Sequence, residues 1–170
     1  MAHTRYIAGL VCIGLFILSG CSGNSPEAPV VKFYTLYLKL HPSGLPTPAE
    51  KQAMAPYLSE HLLILIENAR SCRNAYIRDH PDDKPPWDDG CLFASVFEGP
   101  ESFSIKNIVK KPDGTTSVVV RFRYKTAEWE DTVLVRKEAK VFVIDDFVMS
   151  GAGPFNPPWR FSEGLECPGK

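Results

Sequence analysis

The feature that most constrains the fold is a change in the spacing of apolar residues near the middle of the chain. Before Pro81, apolar side chains recur every three or four positions, as in an amphipathic helix. After Glu101 they alternate with polar side chains, as in strands with one covered face. Helices followed by consecutive strands predict an α+β domain, in which N-terminal helices pack on an antiparallel sheet.

Three helices are predicted in the first half of the chain. The first covers residues 30–41 and ends at Pro42-Ser43-Gly44. Thr47-Pro48-Ala49-Glu50 combines an N-cap, a proline at the first helical position and a capping-box glutamate, so a short helix begins there. Ser59 caps a third helix that runs to about Asp79, before His80-Pro81.

Four strands are predicted in the second half. The alternation of apolar residues blurs at Asn107-Ile108, which indicates a β-bulge in the first strand, and Lys111-Pro112-Asp113-Gly114 reads as a turn. The first predicted strand begins at Phe103. The other three cover residues 118–124, 129–136 and 141–148. In the last strand, strict alternation places Ile144 and Asp146 on one face and Asp145 on the other.

The N-terminal segment is predicted to be a processing signal. Arg5 is followed by an uncharged run over residues 6–20, shorter than the roughly 20 residues of a spanning helix. The run ends in Leu18-Ser19-Gly20-Cys21, which resembles a bacterial lipobox. We therefore expect cleavage before Cys21, acylation of its thiol and anchoring to the membrane on the periplasmic side. An ordinary signal peptide with an incidental cysteine is the alternative.

The same segment sets the expected domain boundaries and compartment. We expect a signal peptide over residues 1–20, a tether over 21–29, a single α+β domain over 30–150 and a Gly/Pro-rich tail over 151–170. Ser22 follows the cysteine, where aspartate would mark retention at the inner membrane, and this favours the outer membrane. Loss of Arg5 changes the net charge from −1 to −2, which argues against nucleic acid or an anionic membrane surface as an electrostatic partner.

Three cysteines remain after the lipidation site, and export would place them in an oxidising compartment. We favour a Cys72–Cys91 disulfide, which would pin a helix end to the loop that follows and contribute about 3 kcal/mol. Cys167 competes for either partner. A metal site is not expected, because no CxxC or HxxxH spacing occurs.

The order of elements and several short strings resemble the nuclear-transport-factor-two-like cone fold. Within that superfamily the chain is similar to an uncharacterised family of small proteobacterial lipoproteins, a domain of unknown function, over about residues 30–150. The resemblance implies a curved sheet around N-terminal helices and supplies no reaction. Phe142 stands where such folds often carry tryptophan. The strings are Val31-Lys32-Phe33-Tyr34, Asp89-Gly90-Cys91-Leu92-Phe93-Ala94-Ser95-Val96-Phe97-Glu98-Gly99, Trp129-Glu130-Asp131 and Val143-Ile144-Asp145-Asp146.

Carboxylates in the sheet are the candidates for catalysis. Asp131 or Asp146, if buried in a dry cone, would have a raised pKa and act as a general base. The alternative is a structural carboxylate bonded to a backbone N–H or to Arg121 or Arg123, as most buried aspartates are. The second interpretation is favoured.

The proline-stiffened loop over residues 81–91 is the candidate interaction site. Trp87 in this loop is either a protein-binding anchor or a side chain packed on the helices. The acids around it do not follow the alternating spacing of a calcium loop, so a solvated loop is favoured over a cation site. They are Asp82, Asp83, Asp88 and Asp89.

No set of residues in the sequence compels a reaction. We expect a membrane-anchored module without a cofactor that binds an envelope protein or a small ligand. The alternatives are a small enzyme using the carboxylates of the cone pocket and an immunity-type lipoprotein that neutralises a toxin.

Overall fold

The computed structural model describes residues 24–150 and 158–167. These ranges contain four α-helices, a 3₁₀ turn over Ala55–Tyr57 and a five-stranded antiparallel sheet that is not closed, which confirms the α+β class. The helices are α1 (Glu27–Leu40), α2 (Pro48–Met54), α3 (Glu60–Asp79) and α4 (Phe161–Gly164). The strands are β1 (Ser102–Lys110), β2 (Thr116–Tyr124), β3 (Ala127–Glu138), β4 (Val141–Met149) and β5 (Trp159–Arg160).

Helix α1 begins at Glu27, within the segment predicted to be a tether. Pro29 does not interrupt it, because the N–H groups of the first helical turn have no partner within a helix. The tether prediction is therefore wrong for residues 27–29, and residues 1–23 lie outside the described part. The predicted spacing of apolar residues every three or four positions is confirmed here by the burial of Val30, Phe33, Tyr34 and Tyr37.

The helix starts at Thr47 and Ser59 are confirmed. The Thr47 side chain accepts a hydrogen bond from the Glu50 N–H, and the Glu50 carboxylate accepts one from the Thr47 N–H. Ser59 Oγ accepts a hydrogen bond from the Leu62 N–H at 3.1 Å. These bonds satisfy donors that would otherwise be orphaned at the start of α2 and α3.

The sheet is a simple meander in the order β1-β2-β3-β4-β5. The pairing of β1 with β2 shifts between Ile105 and Asn107, which confirms a bulge in β1. A second shift, between Leu134 and Val135, leaves Asp145 as the extra residue of β4. This second bulge alters the predicted alternation: Ile144 pairs with Val135, whereas Asp146 pairs with Leu134 on the other face.

Aromatic side chains fill the space between α1 and the sheet. Tyr34 packs against Phe122 with ring centroids 4.9 Å apart, and Phe33 lies 5.2 Å from Phe93. Edge-to-face contacts at these separations stabilise a core beyond the burial of apolar area. The largest fully buried rings are those of Tyr34, Phe33, Phe93, Phe122, Phe147 and Phe161.

The C-terminal residues belong to the domain, in contrast to the predicted extended tail. Strand β5 pairs with β4 through Val148–Arg160 and Met149–Trp159. Phe161 in α4 is buried against the rings of Phe93 and Phe147. The free energy gained by burying a large ring offsets the conformational entropy lost when the surrounding chain is ordered. The domain therefore extends to residue 167. Residues 151–157 lie outside the described part.

The disulfide joins Cys72 to Cys167, with their Cα atoms 5.9 Å apart, and the predicted Cys72–Cys91 pair is wrong. The loop after α3 carries Cys91 back to α1, where its sulfur accepts a hydrogen bond from the Tyr37 hydroxyl at 2.8 Å. Strand β5 and α4 instead return the chain to α3. Cys72 is therefore paired with the cysteine that is farther away in the sequence, because the fold brings that one to α3.

Candidate functional site

Asp131 lies on β3 and is only 2 % exposed, and its carboxylate accepts hydrogen bonds from Ser95, Trp129 and Ser150. Both oxygens accept from Ser95, one from the backbone N–H at 2.9 Å and the other from the hydroxyl. The indole of Trp129 donates at 3.1 Å and the N–H of Ser150 at 3.0 Å. The carboxylate thus ties the loop before β1 to the end of β4.

Asp146 is held in a similar way by the C-terminal segment. Ser162 donates from its N–H at 3.1 Å and from its hydroxyl at 2.8 Å, and Arg160 lies 3.4 Å away. The N–H of Phe147 adds a bond at 2.9 Å. The bulge at Asp145 turns this carboxylate toward α4, while Asp145 itself pairs with Arg136 at 3.1 Å.

The contacts of both aspartates support a role in holding the fold together rather than in catalysis. A general base needs a lone pair that faces a substrate proton. The donors around Asp131 and Asp146 occupy that position with protein groups. Arg121 and Arg123, the partners weighed from the sequence, pair instead with Glu130 and Glu128 across the strands.

Trp87 is partly buried and packs against the core. Its indole N–H donates to the Gly164 carbonyl at 2.8 Å, and its own carbonyl accepts from the Leu45 N–H at 3.0 Å. Of the two roles weighed from the sequence, packing is the one these contacts support. Trp87 connects the acidic loop to the C-terminal segment, and its role as an interaction anchor stays a prediction.

The hydrogen bond from Trp87 to Gly164 is expected to contribute measurably to stability. Trp87→Phe keeps a ring in place but removes the N–H donor, so the Gly164 carbonyl loses its partner. We expect the free energy of unfolding to fall by about 1 kcal/mol, measured by urea denaturation. Trp87→Ala, which also removes the packing, should cost more. Identical stability of Trp87→Phe and wild type would show that this bond contributes nothing.

Two acids of the 81–91 loop form ion pairs. Asp88 pairs with Arg73 of α3, and Asp89 pairs with Lys84 at 2.6 Å. No group of three or more His, Cys, Asp or Glu side chains within the described residues is placed to hold a metal ion.

Cys91 is a free thiol beside α1. Burial raises the pKa of Cys91, and the hydrogen bond from Tyr37 acts in the opposite direction. Burial is also the main cause of the raised pKa of Tyr37, and the neighbouring Cys91 adds to it. Both groups are therefore held in their protonated, neutral forms in the folded protein.

These shifts predict a loss of stability at alkaline pH. The unfolded chain releases the Cys91 and Tyr37 protons near pH ~8.5 and ~10, whereas the folded protein retains them. Their contribution is therefore complete below about pH 8 and is lost as the pH rises. Thermal unfolding of wild type and Tyr37→Phe between about pH 8 and 10.5 tests this. The variant should show the shallower decline, and parallel curves would contradict the assignment.

An open groove of about 840 Å³ lies between α3 and the C-terminal segment. The helix contributes positions three or four residues apart, which form one stripe along its surface. This stripe faces the segment that carries the Cys72–Cys167 disulfide. The apolar walls come from Leu65, Ala75, Tyr76, Leu165 and the disulfide, and the acidic groups are Asp79 and Glu166.

Only one wall of this groove could be predicted from the sequence. The apolar spacing of α3 predicted a covered stripe, and Leu62, Ile66 and Ala69 are indeed buried. Beyond Ala69 the helix has no fully buried residue. Nothing in the spacing reveals that the C-terminal segment forms the opposite wall.

Comparison with protein-family models, with curated proteins and with solved structures finds no match to this chain. In the part of the chain that the structure describes, no helix combines the length and apolar character needed to cross a bilayer.

Proposed function

We propose that the protein is a lipid-anchored binding module on the periplasmic side of the cell envelope, held at the outer membrane through acylated Cys21. The lipobox-like string before Cys21 supports the anchor, and Ser22 supports the choice of membrane. Acyl chains on a cysteine give firm attachment while leaving the folded domain in the aqueous compartment.

The observation that carries the binding role is the groove along α3. It is open and its lining surface is largely apolar with several polar side chains, as ligand sites commonly are. Its two walls are fixed relative to each other by the Cys72–Cys167 disulfide. A partner would therefore meet a site that is already formed, which lowers the entropic cost of binding.

The charges of the groove indicate the chemistry of the partner. Its lining includes the carboxylates of Asp79 and Glu166 and the imidazole of His80, and Leu165 and Tyr76 provide apolar contact. A protein segment that presents an apolar side chain next to a lysine or arginine matches both features. A toxin with such a segment would make the protein an immunity factor.

The contacts of the sheet carboxylates favour binding over catalysis. Asp131 and Asp146 each use their oxygens to fasten separate parts of the backbone. The space next to α1 is filled by aromatic rings. We therefore place the function on the groove rather than on these residues.

We also propose that the fold is a variant of the nuclear-transport-factor-two-like cone and that the chain belongs to the proteobacterial lipoprotein family it resembles. Helix α1 packing on β1 and β4 of an antiparallel meander supports this. Its test is an experimental structure of a member of that family, which should superpose over α1 and β1 to β4.

In-cell photo-crosslinking tests the groove directly. A photoreactive phenylalanine analogue replaces Ser71, which lines the groove, or Asn74, which is exposed and is not among its lining residues. We expect a defined adduct from position 71 and none from position 74. Equal adducts from both positions, or none from position 71, would contradict the proposal.

A matched pair of substitutions then tests whether the crosslinked partner occupies the groove. Ala75→Arg would fill the groove with a bulky cation, whereas Asn74→Arg adds the same side chain outside the lining. The adduct should disappear with Ala75→Arg and persist with Asn74→Arg, while both variants keep the thermal unfolding of the wild type.

A further inference from the structure

The disulfide leaves out the cysteine that lies nearer to Cys72 in the sequence. Cys72 is bonded to Cys167, 95 positions away, whereas Cys91 is a free thiol at about one fifth of that separation. The probability that two points of a flexible chain meet falls as the segment between them becomes longer. In the unfolded chain, Cys91 therefore meets Cys72 about ten-fold more often than Cys167 does. The bond that is expected to form first is not the bond of the folded protein.

In the folded protein, Cys91 is fixed to α1 and to its own loop. Its sulfur accepts a hydrogen bond from the Tyr37 hydroxyl at 2.8 Å, and its N–H donates to the Phe97 carbonyl at 2.7 Å. The preceding carbonyl, that of Gly90, accepts from the Gly44 N–H at 2.8 Å. These contacts hold Cys91 as a thiol beside α1 while the cysteine of α3 pairs elsewhere.

Noncovalent contacts of the C-terminal segment, residues 158–167, bring Cys167 to α3. The ring of Phe161 is buried in the aromatic core, and Ser162 is hydrogen-bonded to a carboxylate of β4. The Trp87 indole donates to the carbonyl of Gly164, three positions before Cys167. None of these contacts involves a sulfur atom, so they can place Cys167 beside α3 before the native disulfide forms.

We propose that Cys91 is a transient partner of Cys72 during folding, and that Cys167 displaces it as the C-terminal segment docks. The Cys167 thiol gives its proton to solvent, and the thiolate attacks the Cys72 sulfur of a Cys72–Cys91 disulfide. The new S–S bond forms as the old one breaks, and Cys91 leaves as a thiolate that takes up a proton. One disulfide and one thiol are present before and after, so the exchange needs no oxidant or reductant.

Only the first disulfide requires an oxidant. A protein or small molecule with a reactive disulfide of its own would accept the two electrons from the thiols of Cys72 and Cys91 in an exported chain. The inference goes beyond the proposed binding role and uses the proposed export for this oxidant alone. After the exchange, burial raises the pKa of Cys91, so the displaced group stays a neutral thiol, which is a poor nucleophile. The exchange therefore favours the native pair.

Oxidative refolding of the full chain with Cys12→Ser and Cys21→Ser tests the order of the bonds. The reduced chain is diluted from denaturant into oxidised glutathione and mild detergent, and samples are quenched with acid at intervals and mapped as peptides. We expect Cys72–Cys91 to dominate the early samples and Cys72–Cys167 to replace it. Adding Cys91→Ser should remove the early bond and still give Cys72–Cys167. Since Cys21 is absent, the result does not depend on acylation.

The exchange step is tested on the isolated Cys72–Cys91 form. This species is purified in acid, where exchange stops, and is then brought to about pH 8 without any added thiol or disulfide. We expect conversion to Cys72–Cys167 at a rate independent of protein concentration, with the number of free thiols unchanged. Trp87→Phe, which loses the bond to the C-terminal segment, should slow the conversion several-fold. Asp82→Ala, an exposed change in the same loop, should leave the rate unchanged.

Three results would overturn the proposal. Appearance of Cys72–Cys167 from the first samples, without a Cys72–Cys91 species, would show that the native bond forms directly. A Cys72–Cys91 form that stays unchanged without added thiol would rule out displacement by Cys167. Equal conversion rates of Trp87→Phe and Asp82→Ala would show that docking of the C-terminal segment does not drive the exchange.

Discussion

Replacing Asp131 by alanine is expected to lower the free energy of unfolding by about 3–5 kcal/mol, a large share of the stability of a domain this size. The change leaves the Ser95 and Ser150 N–H groups and the Trp129 indole without their acceptor. Each unsatisfied buried donor costs about 1–3 kcal/mol, because it has lost water without gaining a partner. Denaturant unfolding followed by tryptophan fluorescence measures the loss.

A graded series makes this prediction robust if the alanine variant fails to fold. Asp131→Asn keeps one acceptor oxygen but places an amide N–H₂ against the donors, so it should lie between alanine and wild type. Asp82→Ala changes an exposed aspartate and should stay within about 0.5 kcal/mol of wild type. Equal stability of Asp131→Ala and Asp82→Ala would refute the structural role of Asp131.

Removal of the Cys72–Cys167 disulfide is expected to cost about 2–4 kcal/mol. The bond joins residues that are 95 positions apart, so its loss greatly increases the freedom of the unfolded chain. Cys72→Ser and Cys167→Ser should be equally destabilised in the oxidised protein. Cys91→Ser should lose at most about 1 kcal/mol, because it breaks no disulfide and the serine hydroxyl can still accept from Tyr37.

The three serine variants also decide which cysteines are paired. A Cys72–Cys91 bond would make Cys91→Ser as unstable as Cys72→Ser and would leave Cys167→Ser unchanged. Peptide mapping under non-reducing conditions gives the same answer chemically, through a linked peptide that contains Cys72 and Cys167.

Elements with strong local signals were predictable from the sequence. The capping box at Thr47 and the N-cap at Ser59 depend on bonds between residues three positions apart. The alternation over β2 matches its burial, with Val118, Val120 and Phe122 facing the core. In each case the information lies within a few residues of the structure that it determines.

Features that depend on distant contacts were not predictable. The partner of Cys72 is set by the return of β5 and α4 to α3, which no local pattern encodes. The bulge at Asp145 comes from pairing with β3 and reverses the face expected for Asp146. The packing of Phe161 turns a Gly/Pro-rich segment into part of the domain. The groove shares this origin, because its two walls are far apart in the chain.

The central claim is that Cys21 becomes the acylated first residue of the mature protein, and intact-mass spectrometry of the membrane-extracted product tests it most directly. We predict the mass of residues 21–170 plus a diacylglyceryl group and an N-linked acyl chain, with the lipids located on the N-terminal peptide. A product that still begins at Met1, or one that carries no lipid on Cys21, would contradict the proposed anchor and compartment.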